Sequence, residues 1–504
     1  MTATTRSCCG PQTHASGRTI VALLLLAMTV VLAWQALTSA DEPARAVVWG
    51  GLALAGYGLA LLWSVGGRAG GGLGLVEWRF GSWILVWWAV SYGLASVTWD
   101  QPQAGTVAAE IALSSVLRAL SLVAVGMTAW VVGYRVGPGS LARRLAARGV
   151  GAFQRRFTPE VRSPAAPWIL YLIGSVARIV SAVTSGRFGY VGNASSALTS
   201  ATAYGHMLSL CGYCCLLAVS AAALQVYREH MRSARVTLAV LLLLEIAVGV
   251  VSADKENFLL AAVAFLVPYC AARRRLPKMA VAVTAAVFLL IVIPFNAAYR
   301  STIRNSQTTL TSGQALDAAP QIFSQVLNAN GLVNTLPASA NYLLLRVREI
   351  DAPAIIMQRT PGQVAYLSPI QLLTVPAIGL VPRWIWPGKP ILAPNYQVTQ
   401  IYYGKPADLY TASTTTPIGS LFQHGGWLPV IFGMLLFGCG VRLFDDVFDI
   451  FENLHATFIL PLLLPSVVIA EGGLDTILTD IPAALIIWAL CIVLIFRPRS
   501  RSSI

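Results

Sequence analysis

Apolar runs close to the length of a bilayer-crossing helix recur a dozen times along this chain, and no other feature constrains its fold as strongly. A helix that spans the hydrocarbon core needs about 20 mostly apolar residues, whereas a spanning strand needs only about 9–11. The runs are Thr19–Leu37, Ala46–Gly66, Gly81–Val97, Ala108–Val132, Ala165–Thr184, Ala203–Tyr227, Val236–Ala253, Phe258–Ala272 and Met279–Ala297, then, after a long interruption, Gly426–Leu443, Ala456–Ala470 and Ile481–Phe496. In lipid every backbone polar group must be satisfied internally, so runs of this length predict helices. Composition agrees: 56% of residues are hydrophobic and 11% charged, against about 25% charged in a soluble domain. The expected fold class is an all-α polytopic membrane protein of about 12 transmembrane helices. The first run is longer than a signal-peptide core of about 7–15 residues and no small-residue cleavage site follows it, so it reads as a span.

The net charge of +14 would suit nucleic acid, but the basic residues cluster between the apolar runs, which is the signature of membrane orientation. Alternate connections carry Arg6 and Arg18; Arg68 and Arg79; the Arg135–Arg162 and Arg228–Arg235 stretches; Arg273, Arg274, Arg275 and Lys278; and Arg497, Arg499 and Arg501. The short segments assigned to the other side hold only Arg45, Arg187 and Lys255. Both termini are therefore expected in the cytoplasm of an inner membrane. One inside connection is acidic, with Asp445, Asp446, Asp449 and Glu452, but acids contribute little to orientation. Three regions follow: a membrane domain over 1–297 with about nine helices, one large extracytoplasmic loop over 298–425, and C-terminal membrane helices with a tail over 426–504.

Connections are ordinarily about 4–6 residues long, and one this large is expected to carry function. Within it Asn341–Ile350 reads as a helix with Leu343, Val347 and Ile350 on one face. Asp351 is placed to cap a following turn that contains Pro353. Val364–Leu380, broken by Pro369 and Pro376, reads as short pieces at the membrane surface or re-entering it. Only Ser301–Ser312 looks mobile. The loop is basic on the side where basic residues are scarce. Arg300, Arg346, Arg348, Arg383 and Lys389 lie within it, and Arg178, Arg187 and Lys255 lie near the outer ends of neighbouring spans. Guanidinium groups converging there would suit bidentate recognition of phosphate, and a membrane-bound diphosphate is the natural ligand.

Plainer roles stand beside these. Arg346 and Glu349 are spaced for a helical surface pair. Arg178 or Arg118 is able to neutralise Glu245 within the membrane. His424, before Gly425 and Gly426, is either an interfacial residue or a base. Cys211, Cys214 and Cys215 mimic a redox motif but sit in an apolar run, where packing is the simpler role. No metal-ligand spacing is present, so neither a metal nor another cofactor is indicated.

The stretch from Arg346 to Gly440 resembles the oligosaccharide repeat-unit polymerase (O-antigen polymerase-like) family. The strongest match is Val381-Pro382-Arg383-Trp384-Ile385-Trp386-Pro387-Gly388-Lys389-Pro390. Arg348 and the segment after it match the family's Arg-bearing helix, and Pro417-Ile418-Gly419 with His424-Gly425-Gly426-Trp427 fit the polar turn before the next span. Asp254-Lys255-Glu256-Asn257 stands where such proteins often carry an Arg-containing turn, here with Lys. The resemblance implies a metal-independent membrane glycosyltransferase that joins polyprenyl-diphosphate-linked oligosaccharide repeats. Its partners would be the lipid-linked oligosaccharide, membrane lipid and other polysaccharide-assembly proteins, with no nucleic acid. Arg348, Glu349, Asp351 and His424 would be its catalytic candidates. Arg178, Arg187, Lys255, Arg300, Arg346, Arg383 and Lys389 would be its substrate-binding candidates. A related ligase, a transporter or an export component are the alternatives. A transporter would be expected to show internal repeats, and none is evident.

Overall fold

The computed structural model describes residues 13–38, 42–66, 74–100, 110–185, 187–188, 191–192, 205–252, 254–305, 312–328, 336–381, 385–386, 388, 394–405 and 413–499. The described residues are all-α apart from two short two-stranded antiparallel sheets. The helices are α1 (Thr13–Thr38), α2 (Pro43–Val65), α3 (Phe80–Trp88), α4 (Leu113–Val136), α5 (Ser140–Gln154), α6 (Ala166–Ser185), α7 (Gly205–Gly212), α8 (Cys214–Tyr227), α9 (Arg232–Ser252), α10 (Lys255–Arg273), α11 (Lys278–Val287) and α12 (Ile293–Asn305). Within the expected loop lie α13 (Ser312–Asn328), α14 (Leu336–Val347), α15 (Asp351–Arg359), α16 (Ile370–Leu380), α17 (Pro394–Tyr403) and α18 (Pro417–Gln423). The chain then forms α19 (Trp427–Val447), α20 (Ile459–Leu463) and α21 (Gly473–Ile495). Strand β1 (Phe157–Val161) pairs antiparallel with β4 (Phe496–Pro498), and β2 (Arg187–Phe188) with β3 (Val191–Gly192).

Eleven helical stretches among the described residues are long and apolar enough to cross a membrane, and the chain is a membrane protein on that ground. They match eleven of the twelve expected runs. The remaining run, Leu454–Ile469, is shorter and changes from 3-10 through α to π geometry. Helix α8 is the central element, buried from Cys214 through Gln225. Cys211, Cys214 and Cys215 are free thiols within it and α7, as packing required.

Small residues set the closest helix approaches, as they do where lipid offers no hydrophobic drive for helices to pair. Helices α4 and α19 cross at reciprocal glycines. A Cβ on Gly438 would strike the Trp130 carbonyl, and one on Gly133 would strike the Leu435 carbonyl. Gly126, midway along α4, faces Ile418 of α18. The loop helix α18 is therefore packed against the middle of α4, one of the helices long and apolar enough to cross a membrane.

The acidic connection that broke the charge pattern has a structural explanation. Asp445 accepts from the Phe80 and Gly81 backbone N–H groups at 2.8 and 3.0 Å and from Tyr134 Oη at 2.7 Å, capping the start of α3 from another helix. Asp446 lies 3.1 Å from Arg442, 3.6 Å from Arg143 and 3.8 Å from Arg79. These acids neutralise basic residues at their own end of the bundle.

Candidate functional site

The sequence-predicted residues divide into those the fold locks in place and those near an open groove. Arg348 is locked. The expected single helix over Asn341–Ile350 ends at Val347, and Arg348, Glu349 and Ile350 form a break before α15. Arg348 therefore does not lie on the membrane surface on an amphipathic helix; it is 8% exposed. Its Nε and Nη2 donate to the two Asp351 carboxylate oxygens at 2.9 Å each, and Nη1 donates to Thr98 Oγ1 at 2.9 Å. The guanidinium also lies 4.7 Å from the centre of the Trp99 ring. With its donors so engaged, it positions the chain. Asp351 begins α15 and spends its carboxylate on Arg348 rather than on a backbone cap.

Glu349 is buried and reaches into α3's continuation. Its Oε1 accepts from Trp87 Nε1 at 2.9 Å and Oε2 from Ser91 Oγ at 3.1 Å, while its own N–H donates to the Ser91 carbonyl at 3.1 Å. Ala89–Gly93 is a π-helical turn, and the change of hydrogen-bond register there is where Ser91 meets this outside donor. Burial holds the Glu349 carboxyl well above the usual glutamate range, with repulsion from Glu471 adding to it. Burial also raises Asp351, against the pull of Arg348. The pair expected between Arg346 and Glu349 is replaced by Arg348–Asp351; Arg346 is exposed.

Arg178 forms a two-pronged pair with Glu245, Nη1 to Oε1 at 2.8 Å and Nη2 to Oε2 at 3.0 Å, with Glu245 fully buried. This is the structural neutralisation that the sequence left open. Lys255 opens α10 beside Asp254, whose side chain caps that helix by accepting from Glu256 N at 3.1 Å. Arg187 lies on β2 and Arg300 on α12. Arg383 and Lys389 lie outside the described residues, as does part of the Ser301–Ser312 segment expected to be mobile, from 306 to 311.

His424 is 3% exposed, just past the end of α18. Its Nδ1 lies 2.7 Å from the Ser420 carbonyl oxygen. A carbonyl only accepts, so Nδ1 carries a proton, and Nε2 is the ring nitrogen that serves as an acceptor when the imidazole is neutral. Among the described residues Nε2 makes no hydrogen bond. Asp475, at the start of α21, accepts from Ser420 Oγ at 3.4 Å. Thr416 caps α18 by accepting from Gly419 N at 3.2 Å and holds a φ of +59°. A β-branched residue there is strained, and such strain persists only where the surroundings impose it. The surroundings are the turn at Glu471, whose carbonyl accepts from Thr415 N at 2.9 Å, and Gly473, which packs against Thr416.

An apolar groove of about 530 Å³ begins beside this group. Leu421 and Leu474, the neighbours of Ser420 and Asp475, line one end. Leu372 and Pro376 of α16, Leu436 of α19 and Ile477 of α21 line its length, which reaches Phe80 and Phe444 near the other end of the bundle. The size is ordinary for a ligand cavity. Sequence reading named His424 but missed Asp475, Ser420 and Thr416. The signal available for Asp475 was an acid two residues after Gly472-Gly473 at the mouth of a span. No metal-holding cluster of His, Cys, Asp or Glu occurs among the described residues.

No curated protein and no solved structure matches the chain. A family model described as Domain of unknown function (DUF8712) matches residues 177–455, more than half of the chain and the stretch that holds His424, Arg348 and the groove's α16 and α19. The chain belongs to that family.

Proposed function

We propose that this protein is a membrane glycosyltransferase that joins polyprenyl-diphosphate-linked oligosaccharide repeats on the extracytoplasmic face of a bacterial inner membrane, with both termini cytoplasmic. The observation that carries this reading is the apolar groove lined by Leu421 of α18, the helix that ends at buried His424, whose proton-bearing Nδ1 leaves Nε2 as the ring's acceptor. A long isoprenoid chain suits such a groove, and sugar transfer needs a base within reach of the attacking hydroxyl.

In this reading a hydroxyl oxygen of the incoming repeat forms a bond to the anomeric carbon of the growing chain. The anomeric carbon's bond to the diphosphate oxygen breaks, and polyprenyl diphosphate leaves. His424 Nε2 accepts the hydroxyl proton, and the Ser420 carbonyl, which accepts from Nδ1, holds the ring in place. Charge developing on the leaving diphosphate is met by cations of the large loop, with Arg383 and Lys389 of the Val381–Pro390 element as the first candidates. Glu349 and Asp351 are less suited to act as the base, because their oxygens already accept from Trp87 and Ser91 and from Arg348. Arg348 is a positioning residue for the break that carries them.

The test is polymer formation from lipid-linked repeats by the purified protein in lipid. General-base loss typically costs about 10²–10⁴-fold in rate. His424→Ala should fall by an amount in that range at unchanged protein level, and Arg383→Lys should also fall. Full activity in His424→Ala would overturn its assignment, and no transfer by the wild type would overturn the reading as a whole.

A further inference from the structure

At the end of the bundle opposite His424, a second, open cavity of about 610 Å³ is lined by α5, the ends of α10 and α19, the 449–455 turn, and the residues just after α8 and β4. Its lining is polar. Arg155, Arg228, Arg274 and Arg499 line it, each with an exposed side chain, and among the described residues none of them makes a salt bridge. Arg274 lies over the Phe451 ring at 5.3 Å.

The acids of the wall are largely engaged. Asp446 is surrounded by Arg79, Arg143 and Arg442. Asp449 accepts from Phe451 N at 2.8 Å, which leaves Glu452, exposed at the rim. His455 has Asn453 Oδ1 at 3.1 Å and the Thr158 carbonyl at 3.2 Å from its two ring nitrogens. In the same wall Gln154 is 6% exposed, and its Nε2 has no acceptor. A buried amide donor without a partner is costly to keep. The cavity thus collects four guanidinium groups that have no carboxylate partner among the described residues and one buried amide donor.

We infer that this cavity is a binding site for a phosphate-bearing anion, held by Arg155, Arg228, Arg274 and Arg499 with Gln154 Nε2 donating from the wall. Phosphate supplies several acceptor oxygens at once and pairs with guanidinium in two-pronged fashion. The same chemistry is offered by the headgroup of an anionic phospholipid and by a soluble phosphorylated molecule. This inference is independent of the proposed transferase activity.

The experiment measures the thermal midpoint of the full chain in phosphatidylcholine nanodiscs in two arms. One titrates sodium pyrophosphate, and the other raises the fraction of phosphatidic acid in the disc. A saturable rise with pyrophosphate assigns a soluble ligand, and a rise with phosphatidic acid alone assigns a lipid headgroup. In either arm Gln154→Leu and Arg274→Gln should each weaken the response by about tenfold or more, as loss of a bond to a charged group does. Arg148→Gln, on α5 but outside the cavity lining, should respond like the wild type. No rise in either arm, or a rise that Gln154→Leu and Arg274→Gln leave unchanged, would overturn the site.

Discussion

At the scale of single residues, a buried charge has to be either partnered or neutral, and the chain uses both solutions. Glu349 is the case in which burial favours the protonated form. Its folded-state proton affinity is raised by burial, so the folded form holds a proton that the unfolded chain releases once the pH exceeds the ordinary glutamate value of about 4.5. Its contribution to stability is fully present below that value and is lost as pH rises towards the folded-state pKa. Glu349→Gln, which imitates the protonated acid, should flatten this dependence and match or exceed wild-type stability at neutral pH. Thermal midpoints from pH 5 to 8 check it, and a wild-type midpoint that rises with pH where the variant's stays flat would contradict it.

Arg178 and Glu245 are the partnered case. Removing one member of a buried pair typically costs about 3–5 kcal/mol, while replacing both with apolar residues is often neutral. Arg178→Met should lower the thermal midpoint strongly and Arg178→Met with Glu245→Met should restore it. If the restored variant also recovers the proposed transferase activity, Arg178 serves the fold. Recovery of stability without activity would return it to the substrate.

At the scale of elements, the α4–α19 crossing is the joint on which the groove depends, because α19 forms one of its walls. Overpacking typically costs about 1–3 kcal/mol, and at Gly438 the obstacle is the Trp130 backbone, which cannot rotate away. Gly438→Ala should therefore lower the thermal midpoint. Gly440→Ala, two residues on with nothing within 4 Å of an added Cβ, should leave it unchanged. Equal midpoints for the two variants would mean that the helices are not in close contact at this point. The same scale explains the short helices α15 and α18. Each starts with proline in its first turn, Pro353 and Pro417, and neither is long enough to span. They are buried against α4 and α19 because their apolar faces are covered by spanning helices and not by water.

At the scale of the whole molecule, the basic asymmetry predicts that the loop helices face outward. A cysteine at Ser368, which is exposed before α16, should react with an impermeant thiol reagent in intact cells. One at Ser140, at the start of α5, should react only after the membrane is opened. The reverse pattern would invert the topology and place the transfer reaction on the wrong side for the proposed function. The extents of the spans were legible because hydrophobic length is a local property: a run of 20 apolar residues is helical in lipid whatever its neighbours. His424 was legible as a candidate from its polar, glycine-rich surroundings. The fate of the arginines was not legible, because charge alone does not say which acid a guanidinium will meet. Arg348 has Thr98 as a partner 250 positions away, and Arg178 has Glu245 67 positions away. Asp475 likewise meets Ser420, 55 positions away, only because α21 packs beside α18. Local patterning thus determined the helices and the membrane as solvent. Only tertiary packing decided which polar groups are satisfied, which carboxyl has its proton affinity raised by burial, and which ring nitrogen of His424 is held by a carbonyl, since buried polar groups take their partners from whatever the helix crossings bring within hydrogen-bond reach.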